Sequence, residues 1–138
     1  MSDLNLSEKV SVNVNSSTLS SIDLLVDNGY YSNRSDFINQ ALREGLQKHQ
    51  NIIDRIVEKK TSPCADGKGQ WFLGVYGLEK QELEEAKQQE KKMEIRGYGV
   101  LVIGKDIDEE LLFQIVSSIK VKGKVVCSKV VREHYGLK

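Results

Sequence analysis

Residues 9 to 14, Lys-Val-Ser-Val-Asn-Val, alternate without a break between polar and β-branched apolar side chains. A repeat of two belongs to a strand, so the segment predicts a half-buried strand with Val10, Val12 and Val14 toward a core and Lys9, Ser11 and Asn13 outward. The next residues predict helices. Asn15-Ser16-Ser17-Thr18 supplies capping side chains, and Leu19, Ile22, Leu25 and Val26 recur at helical spacing until Asn28-Gly29, where glycine can take the left-handed conformation that ends a helix. Ser32-Asn33-Arg34-Ser35-Asp36 offers caps for a second helix starting near Asn33, with Phe37, Ile38, Ala41, Leu42, Gly45 and Leu46 in one stripe. Leu42, Leu46, His49, Ile53 and Ile56 then alternate spacings of four and three, as in a short coiled coil, which leaves open one long helix or two.

A strand and two short helices cannot bury enough apolar surface to fold alone, and a second copy is the simplest remedy. Two such strands paired antiparallel across a two-fold axis would pack their valines on four helices and leave a ribbon with a polar outer face. A two-stranded ribbon of that kind fits the DNA major groove.

The segment KVSVNVNSSTLSSIDLLVDNGYYSNRSDFINQALREGLQKH resembles the ribbon-helix-helix regulators of the CopG, Arc and MetJ type and covers roughly the first third of the chain. The resemblance implies a dimer that reads double-stranded DNA, with Lys9, Ser11 and Asn13 as base readers and Ser32, Asn33, Arg34 and Ser35 as a phosphate clamp. Elementary chemistry suits these roles. Lys9 can donate to guanine, Asn13 can pair bidentately with adenine, and Ser11 can serve either base. Open amides at a helix start suit a phosphate, and Arg34 would add a charge-assisted contact or else pair with Asp36 or another neighbour.

Beyond residue 70 the pattern changes. Trp71 to Tyr76, Gly99 to Ile103 and Val121 to Cys127 read as strands, and Glu79 to Met93, Glu109 to Ile119 and Val130 to Tyr135 as helices. The expected fold class is thus α+β: a dimeric β-α-α ribbon-helix-helix over 1–58, a linker over 59–70 holding the only proline, and a small α/β domain over 71–138 for oligomerisation or sensing. The last part is faintly similar to extensions of other such regulators. It is expected to join dimers into tetramers or larger assemblies, which gives weak modules avidity on adjacent half-sites.

Charge limits how such a chain meets DNA. The 20 Lys and Arg balance 20 Asp and Glu, so a few placed contacts rather than a basic coat would hold the duplex. From Lys120 onward the balance turns basic, enough to touch DNA flanks or simply to form a solvated face. The longest apolar runs fall far short of the ~20 residues of a membrane span, and the first residues lack a secretory pattern, so no membrane association and a cytoplasmic location are expected.

Cys64, Cys127, His49 and His134 have no ligand-like spacing, so no metal or other cofactor is expected, although nickel-responsive regulators do couple this module to a metal sensor. No nucleophile-base pair or phosphate loop occurs, which argues against an enzyme. The alternative reading is an antitoxin-like or other interaction module whose C-terminal part holds a partner protein. A third is a small-molecule sensor with a pocket near Trp71, Phe72 and Tyr76.

Overall fold

The structure, a computed structural model, describes residues 7–61 and 69–137. The chain divides between Asp54 and Arg55 into two compact units. Of the expected 59–70 linker, residues 62–68 lie outside the described residues, as does Cys64.

The first unit is helical. Helix α1 (Ser16–Asp27) begins where the Asn15 side chain accepts from the Ser17 amide, and it ends in a left-handed Gly29 at φ 82°. There the Tyr30 amide reaches the Leu25 carbonyl and the Gly29 amide the Val26 carbonyl, the paired bonds of a glycine-stopped helix. Helix α2 (Arg34–Lys48) is capped by Asn33 and stops at His49, whose ring Nδ1 lies 2.9 Å from the Gly45 carbonyl oxygen. Helix α3 (Gln50–Thr61) follows at once, so the long pattern from Leu42 to Ile56 is two helices.

The N-terminal half departs from the expected fold class. Residues 7–15 form neither strand nor helix, and the order of elements is helix first. The described residues hold six helices and one three-stranded parallel sheet, not an N-terminal β-α-α unit with an antiparallel ribbon. The reason is physical: a strand exists by hydrogen bonds to a neighbour, and one chain offers the 9–14 segment no second segment to pair with. Without it the alternation produces no buried face. Val10 and Val12 are 78% and 74% exposed, like the polar residues between them.

The second unit alternates β1 (Gly69–Leu78), α4 (Lys80–Gln88), β2 (Met93–Ile103), α5 (Glu109–Ile115), β3 (Val116–Val126) and α6 (Lys129–Tyr135). Both sheet neighbours are parallel, in the order β1-β2-β3. Every expected element over 71–135 occurs, with moved bounds. The helix expected over 79–93 ends at Gln88, and Met93 already belongs to β2. The helix expected over 109–119 ends at Ile115, where the chain passes directly into β3.

Crossovers between parallel strands are right-handed. Because both step in the same direction across the sheet, α4 and α5 fall on one face. Phe72, Leu78, Ile95, Leu101, Ile119 and Val125 point from the strands into that face, against Leu83, Leu112 and Val131 from the helices. Tyr135 closes the layer by donating to the Val116 carbonyl at 2.7 Å, and burial pushes its phenol up to about 12.

One device of this sheet is a row of glycines. Gly74, Gly99 and Gly123 stand in register with φ of 108°, 128° and 142°. A Cβ on Gly99 would run into the Gly74 carbonyl, and one on Gly123 into the Gly99 carbonyl. Glycine is required there on both counts.

Candidate nucleic-acid interface

Lys9, Ser11 and Asn13 all lie exposed on the irregular 7–15 segment ahead of α1. Within one chain they form no ordered row. The apolar residues around them are equally unsatisfied. Ile22 is the one buried hydrophobic side chain among the described residues of the first unit, against thirteen in the second. Leu24, Ile38, Leu42, Leu46 and Ile52 remain exposed in the same unit. The first unit therefore buries little apolar surface of its own.

The four residues of the expected clamp sit together at the start of α2. Asn33 Oδ1 accepts from the Asp36 amide at 2.8 Å, while Asp36 Oδ2 accepts from the Ser32 amide at 3.0 Å, a reciprocal lock that sets the turn. Tyr31 packs edge-on against Phe37 with ring centroids 4.9 Å apart and anchors the turn from below, while Tyr30 stays exposed. Between these bonds, the amides of Arg34 and Ser35 meet no acceptor among the described residues.

Arg34 itself is occupied. Its Nε and Nη2 donate to the two oxygens of Asp23, on α1, at 2.7 and 2.8 Å. The guanidinium's hydrogen bonds hold the Asp23 carboxyl below its usual range, and the same bonds raise Arg34. Sequence reading considered Asp36 or a neighbour as the partner and missed Asp23, eleven residues upstream. Its signal is weak but present. Asp23 lies one residue after buried Ile22 on α1, which places it near the neighbouring helix.

The residues considered for metal do not converge. His134 stacks on Phe113 at 3.8 Å in the second unit and His49 belongs to the first, while burial pushes the half-buried Cys127 thiol up. Among the described residues no three His, Cys, Asp or Glu side chains could share a metal ion. Trp71, Phe72 and Tyr76 do not share one side of the sheet. Phe72 and Tyr76 stack at 5.5 Å toward the helices, whereas Trp71 lies on the opposite side of β1. Among the described residues no helix is long and apolar enough to cross a membrane.

The first unit thus combines exposed apolar side chains with a capped helix start that leaves two amides open. The chain belongs to the Ribbon-Helix-Helix transcriptional regulator family, which it matches over residues 5–132, through both units. Regulators of this family bind DNA and typically dimerise. No curated protein and no solved structure matches the chain.

Proposed function

We propose that the protein is a sequence-specific DNA-binding regulator in which the 9–14 segments of two copies lie together in the major groove. The observation that carries the reading is the exposure of Val10, Val12 and Val14 beside an equally open face of α1 and α2. Association of two copies would bury those side chains, at roughly 25 cal/mol per Å² of apolar surface removed from water. Lys9, Ser11 and Asn13, exposed on the same segment of both chains, would then meet base edges.

The start of α2 supplies the second contact. The free amides of Arg34 and Ser35, with the Ser32 and Ser35 hydroxyls and Asn33 holding the turn, suit a backbone phosphate. Arg34 would exchange its Asp23 partner for that phosphate. Phosphate contacts set register and affinity, while the three readers set sequence preference.

Enrichment from a pool of random duplexes tests the reading. The expected product is a site with two-fold symmetry bound by two chains. Failure to enrich any sequence, even at low salt, would overturn it.

A further inference from the structure

The second unit carries a surface that duplex reading by the first unit leaves unused. Helices α4, α5 and α6 pack on one side of the sheet, and none of them covers the other side. Parallel sheets are ordinarily covered on both faces. Here Leu73, Val75 and Tyr98 point outward and stay exposed, Tyr98 by 51%.

The charges on this face are what identify its occupant. Trp71, Arg96 and Lys120 form one cross-strand row, and Tyr98 pairs with Lys122 in the next; Lys124 continues the column along β3. Like charges directly opposite, such as Arg96 and Lys120, weaken a sheet. The one carboxylate among the outward positions, Glu94, stands 4.0 Å from Arg96 and reaches none of the lysines within ion-pair distance. A second copy on this face would bring four more cations to the interface. An anionic ligand removes the repulsion instead.

The geometry is more particular than a basic patch. Alternate residues on a strand advance about 6.6 Å, so Lys120, Lys122 and Lys124 form a ladder with a spacing comparable to successive phosphates of a stretched single strand. Tyr98 adjoins the ladder on β2, and Trp71 lies one strand further, on β1, with the two ring centroids 6.3 Å apart. A cationic track flanked by stacking rings is how proteins hold unpaired nucleotides without reading their sequence. We infer that the outer face of the β1-β2-β3 sheet binds single-stranded nucleic acid, phosphates along the β3 lysines and bases against Tyr98 and Trp71.

The test titrates the full-length protein with oligothymidine and oligouridine of about twelve nucleotides, within the range of site sizes known for such surfaces. Anisotropy of a labelled strand reports binding. Trp71, the only tryptophan, reports stacking through its own fluorescence with unlabelled strands. Both strands or either one should bind with a change in Trp71 emission, the tighter of the two telling RNA from DNA. Lys122→Gln with Lys124→Gln should weaken binding about tenfold and reduce the salt slope by about 1.4. Tyr98→Ala should weaken binding while leaving the salt slope in place. Lys9→Ala with Asn13→Ala should leave single-strand binding intact, because the face belongs to the other unit.

The inference is overturned if neither strand binds at low salt, or if binding survives the sheet variants and is lost in the Lys9, Asn13 variant. It is equally overturned if the sheet variants change only the sedimenting mass, which would assign the face to a second copy.

Discussion

Arg34 and Asp23 form a two-point ion pair between α1 and α2 that is open to solvent on every side. Such a pair adds little to stability, yet it decides what the guanidinium is free to touch. Asp23→Asn should therefore tighten binding to duplex DNA a few-fold without altering the preferred site, because it removes the competitor for Arg34. Arg34→Gln should weaken binding uniformly across sequences and reduce the salt slope by about 1. Filter binding over a salt series measures both. An unchanged affinity in each variant would leave Arg34 a purely structural residue. The pH sign follows from the lowered Asp23 carboxyl. Its contribution is present above the ordinary carboxylate value of about 3.9 and is lost as pH falls through the lower folded value, and in Arg34→Gln the Asp23 titration observed by NMR should move up. Asn33 as the cap of α2 was legible in Asn-Arg-Ser-Asp, since caps are local. The Asp23 partner was hard to read because it depends on how two helices meet.

Among the elements, the sheet rests on its glycine row. Gly99→Ala places a side chain at φ 128° and against the Gly74 carbonyl, and should cost at least about 2 kcal/mol. Gly77→Ala is the control. Its added Cβ meets nothing within 4 Å, so a change below about 0.5 kcal/mol is expected. Urea denaturation of the two variants side by side measures the difference, and equal midpoints would contradict the role of the row. The elements after residue 70 were legible because hydrophobic periodicity is local. Their bounds were harder. The early part of β2, Met93 to Gly97, hides its alternation among Glu94, Arg96 and a glycine, and the Val116 to Ile119 run continues a helical apolar stripe into a strand. Neither the glycine register nor the bare face could be read beforehand, since both depend on which strand lies beside which.

For the whole molecule, the two units differ in kind. The second has its own core, while the first leaves its apolar residues open, so stability of the first should depend on protein concentration. Val10→Ser with Val12→Ser should shift sedimentation toward the single chain. An unchanged mass would show that these valines hold no partner. The strand expected at 9–14 is the instructive departure. The alternation is present in the sequence, but residues 7–15 form no strand, because periodicity alone supplies no hydrogen-bonded neighbour.

If the 9–14 segments of two copies read the duplex, wild type and Lys9→Ala with Asn13→Ala should differ in affinity for the enriched duplex against unrelated DNA across a salt series. The variant should lose discrimination between the two duplexes, by about 1 to 3 kcal/mol for each bidentate contact removed, while nonspecific binding is largely kept. Undiminished discrimination in the variant would contradict it and place sequence reading elsewhere in the chain.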